Sequence, residues 1–149
     1  MPSIILAVRE IRQESPQIRS FRLVRADGGA LDAYTPGAHL KVRVPGLKAP
    51  RCYSLVNTGT DDFATPAEYR LGVRIANDGQ GGSRYMHGLK EGDTITVQDS
   101  PANDFPLADH PGKTLLIAGG IGITPIISMA AAMQAHGRDY ALHYTGRSR

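Results

Sequence analysis

A chain of 149 residues, 41% hydrophobic and 21% charged, has the balance of a globular protein and the length for one domain, or for one domain and part of a second. No apolar run approaches the roughly 20 residues that cross a bilayer as a helix, and Met1-Pro2-Ser3-Ile4-Ile5-Leu6 lacks the charge and length of a secretory leader, so a cytoplasmic protein with no membrane partner is expected. Cys52 is the single cysteine, which excludes an internal disulfide and any iron–sulfur cluster held by four thiolates of this chain. The net charge is +3, and the seventeen basic residues divide into thirteen Arg and four Lys. The planar Arg fork grips phosphate with two hydrogen bonds, so this balance is compatible with a phosphate-bearing cofactor, although codon bias gives the same ratio. The basic residues are scattered and the nine aromatics do not interleave with them, which argues against nucleic acid.

Residues 3–12 alternate loosely in Ile, Leu and Val, Glu14-Ser15-Pro16-Gln17 breaks the pattern, and Ile18, Ser20, Phe21 and Leu23 to Arg25 resume it, which predicts an antiparallel hairpin. After Asp27-Gly28-Gly29 and a turn-rich stretch, Pro36-Gly37-Ala38-His39 leads into Leu40-Lys41-Val42-Arg43-Val44, an alternating strand with Leu40, Val42 and Val44 inward. Arg51-Cys52-Tyr53-Ser54-Leu55 is a further strand. It sets a cation and an aromatic ring on one face about 7 Å apart, a reach that fits a phosphate at one end and a flat ring at the other. Taken alone, the window reads as a barrel strand with a core Tyr and a surface Arg, since so short a match is common by accident. The polar loop from Asn57 to Pro66 is expected to be solvent-exposed. Tyr69 to Ile75 alternates again, and Thr94 to Gln98 makes a sixth strand, so the pattern predicts a small closed antiparallel barrel.

Before the sixth strand, Asp78-Gly79-Gln80-Gly81-Gly82-Ser83 runs into a one-turn helix, with Ser83 at the expected N-cap and His87 as a helix-end residue. Glycines here let the backbone approach a ligand, and free N–H groups would receive a phosphate; sharp turning alone would also use them. From residue 113 the style changes. Lys113 to Ala118 is a continuous apolar run, as in a strand buried on both faces of a parallel sheet. Gly119-Gly120-Ile121-Gly122-Ile123-Thr124-Pro125 follows, with Thr124 the expected N-cap of an Ala- and Met-rich helix over 126–136 that Gly137 ends. Met129 and Met133 read as core packing. Tyr140 to Tyr144 is a second apolar strand. One βαβ unit is about half or less of a doubly wound sheet, so the second domain is read as incomplete.

Three ordered motifs, Arg51-Cys52-Tyr53-Ser54-Leu55, Gly81-Gly82-Ser83 and Ala118-Gly119-Gly120-Ile121-Gly122-Ile123-Thr124-Pro125, resemble the ferredoxin–NAD(P) reductase superfamily over the whole chain, and within it the reductases of the phthalate dioxygenase and vanillate demethylase type. The resemblance implies a six-stranded antiparallel Greek-key barrel that binds flavin over 1–103, a connector over 104–112, and the first part of an α/β NAD-binding domain over 113–149. It implies Arg51 at the flavin phosphate, Tyr53 against the isoalloxazine, Ser54 near the reactive ring nitrogen provided that the strand bends there, and Arg74 as a second cation. Gly81, Gly82 and Ser83 would hold the phosphate of FMN. Because Gln80 stands where the branch often has Arg, FAD stays open. Gly119, Gly120, Gly122 and Thr124 would face NADH or NADPH, and Arg147 and Ser148 match a ribose-binding position. The implied activity passes electrons from NAD(P)H through flavin to an iron–sulfur acceptor such as an oxygenase component or a ferredoxin domain, with no residue acting as an acid–base catalyst and no metal site. A second reading is a flavin-binding module or truncated fragment without turnover of its own, whose unfinished sheet could pair with a second copy.

Overall fold

The computed structural model describes residues 3–76, 81–108 and 112–146. Gln80, Arg147 and Ser148 lie outside the described residues.

Six antiparallel strands make the first unit: β1 (Ser3–Gln13), β2 (Ile18–Arg25), β3 (His39–Arg43), β4 (Arg51–Ser54), β5 (Tyr69–Arg74) and β6 (Thr94–Ala102). Their order is β4-β3-β6-β1-β2-β5, so β6 inserts between β3 and β1, a Greek-key crossover. The two ends of the sheet meet: Leu55 bridges Leu71, and the Val56 N–H donates to the Arg70 carbonyl at 2.8 Å. This closes the expected barrel and pairs edge groups that would otherwise need water.

Strand alternation fills the interior. Leu6, Val8, Phe21, Leu23, Leu40, Val42, Leu71, Val73, Ile95 and Val97 are all 2% exposed or less, each worth on the order of 1.5–3 kcal/mol of transfer free energy. A short helix, α1 (Gly82–His87), joins the same cluster through Met86, which has no exposed surface.

The loop after β4 is more buried than its polarity suggests. Asn57 is 2% exposed, with its amide donating to the Asp61 carbonyl and its side-chain oxygen accepting from the Gly59 N–H. Phe63 packs against the barrel core and lies 5.1 Å from the Tyr34 ring. Internal hydrogen bonds replace the water that these polar groups would otherwise require.

The second unit is β7 (Thr114–Gly119), a 3-10 turn at Gly120–Gly122, α2 (Ile123–Ala135) and β8 (Tyr140–Thr145), with β7 and β8 parallel. α2 covers one face, where Leu116, Ala118, Ile126, Met129, Ala130 and Met133 form a second core, with both methionines in the expected packing role. The expectation that β7 is buried on both faces does not hold: Leu115 and Ile117 are 57% and 66% exposed, because a single helix packs against a two-stranded sheet. Thr124 is not the N-cap either. The 3-10 turn starts the helix earlier, Gly122 takes the cap position, and the Thr124 hydroxyl donates back to the Ile121 carbonyl at 3.1 Å. The helix ends as expected at Gly137, whose φ of 65° lets its N–H reach Gln134 while the Arg138 N–H reaches Met133.

The two units are joined at Gly37. A Cβ there would lie 2.2 Å from the Phe105 carbonyl oxygen and 2.9 Å from the Met129 methyl, at a φ of 94°. Only glycine lets the turn before β3 reach both the connector and α2.

Candidate functional site

Arg51 and Tyr53 pair with Val42 and Leu40 of β3, so both face the core side of the sheet, as their spacing predicts. There they meet α1. A Cβ added to Gly82 would lie 2.8 Å from Arg51 Cγ and 3.1 Å from Tyr53 Oη, so the missing side chain is what brings helix backbone, cation and phenol together. Burial raises the Tyr53 pKa above its ordinary value, and the Arg51 cation only partly offsets this, so the ring is a neutral phenol at neutral pH.

Gly81, at φ 104°, precedes the helix, and no side chain caps it. Ser83 is therefore not the cap: it lies one residue inside α1, and its hydroxyl accepts from the Ala76 N–H at 2.8 Å, tying the helix start to the residue two beyond β5. A hydroxyl that accepts one bond keeps its own proton to donate. Arg74, the last residue of β5, is exposed and donates from Nε to Gln17 Oε1 at 3.2 Å. His87 is the helix-end residue its position predicts. Its Nε2 donates to the Val73 carbonyl at 2.7 Å, and its own carbonyl accepts from Arg19.

Ser54 faces the other way, directly opposite His39 of β3. The next residue bonds both ways: the Leu55 N–H donates to the Ala38 carbonyl before β3, and Leu55 bridges Leu71 of β5. With Leu55 opposite Leu71, the next residues along the two strands are Ser54 and Gly72. A Cβ on Gly72 would lie 3.3 Å from Thr124 Cγ2 and 3.8 Å from Ile121 Cδ1, so the 3-10 turn and the first turn of α2 rest against β5 beside Ser54. Gly119 at the end of β7 and Gly120 and Gly122 in the 3-10 turn are exposed, and a Cβ at Gly120 or Gly122 would meet nothing within 4 Å. The structure thus gathers Arg51, Tyr53, Gly81, Gly82 and Ser83 on one side of β4, and Ser54 with Thr124 on the other.

Three contributors escape the sequence motifs. The Ser128 hydroxyl of α2, fully buried, donates to the Leu55 carbonyl and accepts from the Asn57 N–H, both at 2.8 Å, holding the helix to the strand crossing. Gly72 gives Thr124 its space, and His39 faces Ser54. A glycine interrupting an alternating strand and a serine in an Ala- and Met-rich helix are the signals that point to the first two. Among the described residues, no group of three or more His, Cys, Asp or Glu is placed to hold a metal, and no helix is long and apolar enough to cross a membrane.

No family model matches the chain. It is 40% identical over 146 residues to the vanillate O-demethylase oxidoreductase of Pseudomonas sp. strain HR199, covering 97% of this chain and 43% of that protein. Among solved structures, phthalate dioxygenase reductase, described as a modular structure for electron transfer from pyridine nucleotides to [2Fe–2S], superposes with a TM-score of 0.87 at 35% identity, over 98% of this chain and 44% of that one. The FAD/NAD-binding domain of nitric oxide dioxygenase from Vibrio cholerae matches with a TM-score of 0.82 at 28% identity, covering 97% of this chain and 63% of that one. These matches and the closed barrel with its appended βαβ unit define the class: the chain has the fold of the ferredoxin–NAD(P) reductases. Within that class it is homologous to the reductase components of oxygenases, the vanillate O-demethylase and phthalate dioxygenase reductases among them. The chain spans less than half the length of the curated relatives it matches, from 41% to 46%.

Proposed function

We propose that this chain is the flavin-binding part, with the start of the nicotinamide-binding part, of an NAD(P)H-dependent flavin oxidoreductase that passes electrons to an iron–sulfur acceptor of an oxygenase system. The observation that carries the reading is the convergence of Arg51 and Tyr53 on the bare backbone of Gly82. A cation, a neutral phenol and a backbone without a side chain suit a phosphate joined to a flat ring, and FMN is the simpler fit because one phosphate needs one such cradle. In this reading residues 1–103 form the flavin domain, 104–112 the connector and 113–149 the start of the nucleotide domain.

Each residue then has a physical task. Arg51 holds the phosphate through charge-assisted hydrogen bonds, with Arg74 as a second cation at the end of β5, and Gly81, Gly82 and Ser83 give close backbone approach and a hydroxyl proton. Tyr53 lies against the ring and keeps water from one face. Ser54 offers its hydroxyl at the ring edge. Gly119, Gly120 and Gly122 leave an open backbone for the nicotinamide nucleotide, and Thr124, seated on Gly72, sets the distance between nucleotide loop and barrel. A bound flavin supplies the two-electron to one-electron conversion, while the protein supplies position and electrostatics.

A second reading, a flavin-binding module without turnover of its own, is favoured by one observation: Leu115, Ile117, Leu142 and Tyr144 of the two-stranded sheet are 40–66% exposed. An absorbance spectrum followed by anaerobic NADH separates the two. A yellow protein that bleaches rapidly supports the reductase. A yellow protein that NADH does not bleach leaves the module, and a colourless one that neither FMN nor FAD reconstitutes removes both. Arg51→Ala should weaken flavin binding by roughly tenfold or more, the scale of a charge-assisted bond, whereas the exposed Arg43→Ala should change it less than twofold; equal losses in a flavin titration would count against the assignment.

A further inference from the structure

Among the described residues, one buried side-chain polar atom lacks a hydrogen-bond partner, and it is Nε2 of His39. The buried Asn57 and Ser128 are satisfied, so the structure is not careless with buried polar groups. Nor is the His39 backbone free to carry its ring elsewhere. The turn before it is pinned by the Asn103 amide, which donates to Thr35 Oγ1 at 2.7 Å and to the Pro36 carbonyl at 3.0 Å, and by Gly37 wedged between Phe105 and Met129. On one side of β3, His39 stands opposite Ala102, where the register breaks as β3 advances two residues and β6 four. On the other side it stands directly opposite Ser54, on the same face of the sheet. Directly opposed residues of an antiparallel pair have Cβ atoms about 4.5–5.5 Å apart, a gap that an imidazole and a hydroxyl can span. Gly72 and Thr124 close the same corner from β5 and the nucleotide loop.

We propose that His39 is a positioning residue for Ser54: its Nε2–H, which makes no hydrogen bond in this structure, donates to Ser54 Oγ when flavin is bound and so turns the hydroxyl's own proton toward the ring. This rests on the reading that a flavin ring lies at Ser54. In this role the imidazole acts through the serine.

The test compares His39→Phe, which keeps a ring and removes the nitrogen, His39→Gln, whose amide stands where Nε2 does, and His39→Asn, whose amide stands nearer Nδ1. Each is made in the wild-type chain and in Ser54→Ala. Titration of the apoprotein with FMN and with FAD and the midpoint potential of the bound flavin are the readouts. Phe and Asn are expected to bind flavin about 3- to 10-fold more weakly, the scale of one net hydrogen bond, and to shift the potential. Gln is expected to restore both to within about twofold, and His39→Phe to add nothing in the Ser54→Ala background. Three variants indistinguishable from wild type, or a Phe effect that persists without Ser54, would overturn the proposal and leave the functional reading intact. A wild-type protein that takes up neither flavin would overturn the reading and the proposal together. Should the Phe variant not fold, nitrogen-labelled histidine in the wild-type and Ser54→Ala proteins decides: a His39 Nε2 resonance that moves on flavin addition only when Ser54 is present supports the proposal, and one indifferent to Ser54 removes it.

Discussion

Leu71 and Val73, two residues apart on β5, are 0% and 2% exposed, whereas Leu115 and Ile117, at the same spacing on β7, are 57% and 66% exposed. Both pairs are apolar and both lie in strands. The difference comes from what surrounds them. The barrel curls back on itself at Leu55 and Leu71, so Leu71 and Val73 are covered by the strands around them. The β7–β8 sheet has one helix on one face, and nothing among the described residues covers the other. Apolar sequence therefore forms a core only where topology supplies a second layer.

The seam between the two regions is where the comparison breaks most sharply. Gly37→Ala forces a methyl group to within 2.2 Å of the Phe105 carbonyl at a left-handed φ; overpacking and strain together should cost about 3–5 kcal/mol in urea unfolding. A variant as stable as wild type would mean that the two units are not rigidly joined there. Ser128→Ala comes next. It leaves the Leu55 carbonyl and the Asn57 N–H buried without a partner and should lose about 2 kcal/mol in the same assay. Ile117→Thr on the exposed face should change stability by less than about 0.5 kcal/mol, and a larger loss would show that this face is covered in solution.

The smallest effect belongs to pH and lies on the barrel. Asp27 is held down to about 2 by its hydrogen bond from Arg25 and by the Gly29 N–H. A depressed carboxylate stabilises the fold at pH values above the ordinary value of about 4, and that contribution is lost as pH falls toward 2. The wild-type urea midpoint should therefore fall more than that of Asp27→Asn between pH 5 and pH 2. Because the pair is exposed, the divergence is small and shrinks with salt.

Much of this architecture is written locally. Period-2 alternation in β2, β3 and β5, the turn signals between them, and the glycine that closes α2 act over a few residues, so the chain states them directly. The same is true of the shared face of Arg51 and Tyr53, which follows from strand geometry alone. The helix starts were misread for a local reason as well: Ser83 and Thr124 have cap chemistry, but backbone glycines already occupy the cap positions, and each hydroxyl bonds elsewhere.

Contacts between residues far apart in the chain are of another kind. Nothing near Gly82 announces that Arg51 and Tyr53 will lie against it, nothing near Ser128 shows that Leu55 and Asn57 need its hydroxyl, and nothing near His39 reveals that it will stand opposite Ser54 with its Nε2 buried. Composition and alternation determined a barrel, a nucleotide-type βαβ unit and a set of candidate ligands. Tertiary structure decided which candidates meet, because barrel closure and the docking of α2 fix distances that no periodicity within a single strand can encode.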